Sequence, residues 1–95
     1  MGVEHIYALI VKRNTNMGFY SFTIDLHGQT SEEAIVNVLN ALFSLEQEEF
    51  YEFFDIIVGN GTGTLKFVVS DLLEEEGYLF DFINSNHSII RVYRK

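Results

Sequence analysis

Ninety-five residues, 47% hydrophobic and 21% charged, suffice for one domain but not two, and exclude the highly charged, apolar-poor composition of a disordered chain. Cysteine is absent, which excludes both a disulfide framework and a thiolate zinc site. The net charge of −8, from six Lys and Arg against fourteen Asp and Glu, repels nucleic acid at long range, so only a local basic patch could hold a phosphate backbone.

Residues 3–12 are rich in β-branched and aromatic side chains and read as a first strand. Residues 14–18 (Asn-Thr-Asn-Met-Gly) are turn chemistry. A second strand from Phe19 to about Leu26 alternates cleanly, with Tyr20, Phe22, Ile24 and Leu26 on one face and Ser21, Thr23, Asp25 and His27 on the other. The two strands are expected to pair as a hairpin, and Gly28 ends the second.

Thr30-Ser31-Glu32-Glu33 has the form of a capping box, with Thr30 as N-cap and Glu33 reaching back. The helix it opens carries Ile35, Val38, Leu39 and Leu42 as a single apolar stripe. The acidic stretch 46–52 reads either as a further helical turn or as a loop. Residues 54–58 form a short apolar run consistent with a buried parallel strand. After the glycine-rich turn 59–63, a second helix begins near Thr64, with Leu65, Val68, Val69, Leu72 and Leu73 on its apolar face. Gly77 follows its end. Residues 78–83 and 88–94 read as two strands joined at the turn 84–87 (Asn-Ser-Asn-His). The expected class is α/β (α+β): a two-layer sandwich of order ββαβαββ, with a mixed sheet and two helices on one face, forming one domain over residues 1–95.

No apolar run approaches the length of a membrane span, so no membrane partner is expected. Nothing at the N-terminus reads as a signal peptide, and Ile6 stands where a myristoylation signal needs Ser or Thr. Asn60-Gly61-Thr62 matches a glycosylation sequon, a chance match without a secretory signal. The expected location is cytoplasmic.

Two segments could carry chemistry. Asp25 and His27 share a strand face near the C-terminal end of the strand, the end where α/β sheets place their sites. A carboxylate beside an imidazole can orient it, raise its pKa, or share a cation with it. The structural alternative is a turn-capping Asp25 and a polar strand-end His27. The second segment is Gly59, Asn60, Gly61, Thr62 and Gly63, between an apolar strand and a helix. Its glycines permit positive φ and close ligand approach, and the helix N-terminus offers N–H groups to an anion. It lacks the Gly-Lys-Ser/Thr of a P-loop, and its glycines are too closely spaced for the dinucleotide fingerprint. Lys66, in the first helical turn, could add charge to a phosphate contact; the alternative is a tight turn without a ligand. His5 and His87 lack a partner at ligand spacing.

In this order, the two segments resemble the Smr (small MutS-related) family. Its members carry an L-D-L-H-G strand end, E-A near the start of a helix, then H-G-x-G-T-G and L-R. The counterparts here are Ile24 to Gly28, Glu33-Ala34, Ile56 to Gly63 and Leu65-Lys66. The resemblance covers residues 22–95 and leaves residues 1–18 outside. It implies an activity on DNA or RNA, as a nicking or RNA-cleaving endonuclease. Asp25 and His27 would then be catalytic, and Gly59, Asn60, Gly61, Thr62, Gly63 and Lys66 would face the phosphate. Two residues depart from the motif: Val58 replaces the loop's usual histidine, and Asn60 its usual basic residue. The alternative is a non-catalytic module with an eroded site, holding nucleic acid or meeting a basic protein through the acidic surface. A divalent cation could assist, although one carboxylate defines no metal site. Lys12, Arg13, Lys66, Arg91, Arg94 and Lys95 are the basic residues, and only their convergence on the glycine loop would make a backbone-binding patch.

Overall fold

Alternation in the second strand translates directly into a half-buried sheet. A computed structural model describes residues 10–14 and 20–95. In it, β1 (Ile10–Asn14) and β2 (Tyr20–Asp25) pair antiparallel; residues 3–9 of the expected first strand and 15–18 of its turn lie outside the described residues. Phe22, Ile24 and Leu26 are buried, Thr23 and Asp25 are half-buried and His27 is exposed, but the expected faces fail at the start of the strand: Tyr20 is 41% exposed and Ser21 is buried, where the pairing with the neighbouring parallel strand shifts register.

The capping box forms at the start of α1 (Ser31–Gln47): the Glu33 amide donates to Thr30 Oγ1 at 3.2 Å and the Thr30 amide to Glu33 Oε1 at 2.9 Å. The face that α1 buries differs from the expected stripe. Ala34, Val38, Ala41, Leu42 and Leu45 are buried, Ile35 is only half-buried, and Leu39 is 40% exposed. Two alanines on the inner face let the helix lie close to the sheet, and this rotates the bulkier Ile35 and Leu39 to its flanks.

The acidic stretch divides between two elements. Helix α1 runs to Gln47, Glu48 caps it, and β3 (Tyr51–Ile57) starts three residues earlier than expected. Arg94 closes the C-terminal end of α1. Its Nη2 donates to the carbonyls of Leu45 and Glu48, and its Nε to that of Tyr51 at 2.7 Å. The last turn of α1 contains no basic residue, so the cation favoured by the helix dipole arrives from the far end of the chain.

Helix α2 (Thr64–Glu75) ends in a Schellman motif at Gly77, φ 80°: the Tyr78 amide donates to the Leu73 carbonyl and the Gly77 amide to that of Glu74. Strands β4 (Phe80–Phe82) and β5 (Ile89–Tyr93) complete a mixed five-stranded sheet of order β1-β2-β3-β5-β4. Only β2 and β3 run parallel; the other neighbours are antiparallel. A single cluster forms the core: Phe22, Ile24 and Leu26, Phe54, Ile56 and Val58, and Ile90 and Val92 meet the inner residues of both helices. Both helices therefore cover one face of the sheet, as expected for ββαβαββ. On the other face, Asp55 pairs with Arg91, its cross-strand neighbour, through bonds of 2.9 and 3.1 Å.

Candidate functional site

The parallel pairing of β2 and β3 brings the two sequence motifs together. Asp25 lies opposite Ile57, and the Leu26 amide donates to the Ile57 carbonyl at 2.8 Å, so both strands release their chains at the same edge. There Asp25 Oδ1 accepts two bonds from His27, from ring Nδ1 at 2.6 Å and from the backbone amide at 3.1 Å. A carboxylate only accepts, so the ring proton sits on Nδ1 and Nε2 remains available to a substrate. The His27 side chain is 70% exposed and that of Asp25 31%. Partial burial pushes the Asp25 carboxyl up, but its bonds to the His27 ring and amide together hold it below the ordinary carboxylate value.

Gly59 sits against this pair with φ 77°, and a Cβ added there would lie 3.2 Å from His27 Cβ. The close approach and the left-handed backbone both require glycine. The start of the loop is pinned by the hairpin between β4 and β5: the amides of Val58 and Gly59 donate to the Ser88 carbonyl at 2.8 and 3.3 Å. Asn84 holds that turn in place, accepting from the amides of Ser88 and Ile89 and donating to Asn86 Oδ1 and Ser88 Oγ. Lys66 Nζ donates to the carbonyl of Asn86 at 3.2 Å.

A cleft of about 570 Å³ opens here, lined by His27, the turn that follows it, and the whole glycine loop through Lys66. Asp25 does not line it and stands behind His27. Two helix N-termini meet in the cleft, but they differ. At α1 the capping box and the acidic Glu32 and Glu33 already occupy the helix dipole. At α2 the N-cap is Gly63, φ 89°, with no side-chain cap bond and no acidic residue in the first turn. The Thr62 hydroxyl meets the Thr64 hydroxyl at 2.7 Å and accepts from the Thr64 amide at 3.3 Å. The second and third amides of α2, Leu65 and Lys66, have no intrahelical acceptor. Anion-binding capacity is thus concentrated at α2, beside Lys66.

His27, Gly59, Asn60, Gly61, Thr62, Gly63 and Lys66 therefore share one cleft. Among the described side chains, the other basic ones do not converge on it. Arg91 lies over the Phe53 ring at 4.1 Å while paired with Asp55, Arg94 caps α1, and Lys95 lies over the Tyr78 ring at 4.5 Å. The side chains of Lys12 and Arg13, and all of His5, lie outside the described residues. His87, φ 57°, packs on Phe82 with ring centroids 4.7 Å apart. Val58 is 5% exposed and part of the core cluster, so nothing polar takes the place of the motif's histidine. Sequence reasoning placed the 84–87 turn but not its part in anchoring the glycine loop through Ser88, and it did not single out Gln29, Thr30 and Ser31 as lining residues. The density of Asn and Ser in that turn, and the N-cap directly after the Asp25-His27 strand, were the available signals.

The family model of the Smr domain matches residues 24–88. The chain belongs to the Smr domain family. The match takes in both motifs of this Smr domain and the turn that anchors its glycine loop. The crystal structure of the Smr domain of Thermus thermophilus MutS2 shares the fold, with a TM-score of 0.70 and 23% identity, covering 77% of this chain and 96% of that one. No curated protein matches the chain. Among the described residues, no helix of this Smr domain is long and apolar enough to cross a membrane, and no three His, Asp or Glu side chains form a metal-binding group.

Proposed function

We propose that this Smr domain acts on DNA or RNA as an endonuclease, with His27 transferring the proton, Asp25 positioning it, and the glycine loop holding the scissile phosphate. One observation carries the reading: His27, its ring oriented by Asp25 and its Cβ close against Gly59, lines the same cleft as the N-terminus of α2, whose N-cap Gly63 has no side-chain cap bond. With its proton on Nδ1 held by Asp25, His27 Nε2 can take a proton from an attacking hydroxyl or water. The amides at the start of α2 and the Lys66 ammonium oppose the charge that builds on the phosphoryl oxygens. Asp25 acts through His27 rather than on the substrate.

The test is cleavage of nicked-circle DNA and structured RNA by wild type, Asp25→Ala and His27→Ala. The proposal expects loss of cleavage in both variants; equal cleavage by all three would refute it. A second reading, a non-catalytic binding module, is favoured by Val58, whose burial leaves the loop without the motif's histidine. Oligonucleotide binding without turnover in any substrate would select it.

A further inference from the structure

Accepting that reading of the cleft, we infer that its ligand is a single-stranded segment, gripped through about one phosphate at the glycine loop and one base on the ring of Phe67. Three observations lead there. The first is the disposition of charge. Arg91, Arg94 and Lys95 are committed to Asp55, to the end of α1 and to Tyr78. Among the described side chains, Lys66 is the one cation at the cleft, and the chain carries a net charge of −8. Proteins that track a duplex backbone need a row of cations, and the described side chains at this edge of the sheet do not present one.

The second observation is size. About 570 Å³ is the scale of a small-molecule pocket, enough for a nucleotide or two but closed to a double helix. The third is Phe67, which follows Lys66 directly and is 73% exposed. It contributes nothing to the core, which α2 meets through Val69 and Leu73. Phe67 is not itself among the lining residues, but helical side chains lean toward the N-terminus and over the turn before their own Cα, which for Phe67 is the turn of Gly63 and Thr64, both of which line the cleft. Single-strand binding sites combine a phosphate contact with an aromatic face on which any base can stack.

The experiment is fluorescence anisotropy with labelled single strands from trinucleotide to dodecamer, and a duplex of dodecamer length, over a salt series. The proteins are wild type, Phe67→Ala, Phe67→Tyr, Lys66→Ala and Phe43→Ala. Phe43 is 58% exposed on the outer face of α1 and serves as the control. Single strand should bind tighter than duplex, with affinity levelling off after the first few nucleotides and a log–log salt slope of about −1. Phe67→Ala should weaken binding about tenfold, Phe67→Tyr should retain it, and Phe43→Ala should match wild type. A duplex preference, a salt slope steeper than about −3, or unchanged affinity in Phe67→Ala would overturn the inference while leaving the nucleic-acid reading standing. Absence of binding by the wild type to every substrate would remove both.

Discussion

Alanine substitution at three glycines of one loop separates backbone strain from contact with the site. Gly59→Ala forces a side chain into the left-handed region at φ 77° and places its Cβ 3.2 Å from His27 Cβ. Left-handed backbone costs an L-residue about 1–2 kcal/mol. The contact adds to this, because His27 Cβ is fixed to the end of β2 and cannot swing aside as a long side chain could. Gly63→Ala meets the same backbone restriction at φ 89° but has nothing within 4 Å, so it should cost the strain alone. Gly61 has neither positive φ nor a neighbour within 4 Å, and its alanine should be neutral or stabilising by up to about 1 kcal/mol. Urea denaturation of the three variants should therefore rank Gly61→Ala most stable, Gly63→Ala next and Gly59→Ala least, with Gly59→Ala about 2–3 kcal/mol below wild type. In Gly59→Ala alone, the His27 ring resonances should also shift. A Gly59→Ala protein as stable as Gly61→Ala would refute the packing of the loop against His27.

Further outcomes follow from other parts of the structure. Arg94→Ala removes three bonds to carbonyls at the end of α1 and the start of β3 and should cost about 2–3 kcal/mol, seen as a Tm lower by roughly 8–24 °C; Arg94→Lys should recover part of it. The Asp25 carboxyl lies below its ordinary value of 3.8, so the stability it contributes is present above pH 3.8 and lost as pH falls through the folded value. Wild type should accordingly exceed Asp25→Asn in stability at neutral pH, with the gap closing in strong acid. Burial, then the bond to Glu46, push the Tyr78 phenol up to about 12 from 10.0. Its stabilising effect is complete below pH 10 and fades as pH rises through about 12. A tyrosinate absorbance titration should show a late step that Tyr78→Phe abolishes.

Local patterns carried much of this architecture. The alternation in β2 from Phe22 onward, the Thr30 and Glu33 capping box and the glycine after α2 each specify an element through neighbours in sequence, and each forms as expected. Where the expectation failed, a partner distant in sequence decided the outcome. The inner face of α1 is set by Ala34 and Ala41, which carry little hydrophobicity of their own but decide how near the helix can lie to the sheet. Glu46 and Glu48 lie in the stretch that read as either helix or loop; the phenol of Tyr78 and the guanidinium of Arg94 organise that corner from later in the chain. The site divided in the same way. Asp25 with His27, and the glycine loop, were legible as motifs, but their meeting depends on the parallel pairing of β2 with β3, a non-local feature. Asp25 standing behind His27, outside the cleft, follows from side-chain geometry that alternation alone cannot supply.

An amide and imidazole NMR titration with a trinucleotide tests most directly whether the two motifs form one nucleic-acid site. The account predicts that shifts concentrate on the His27 ring and on the amides from Gly59 to Phe67, and that His27→Ala and Lys66→Ala weaken the response. Shifts centred instead on Asp55, Arg91 and Tyr93, across the open face of the sheet, would contradict it.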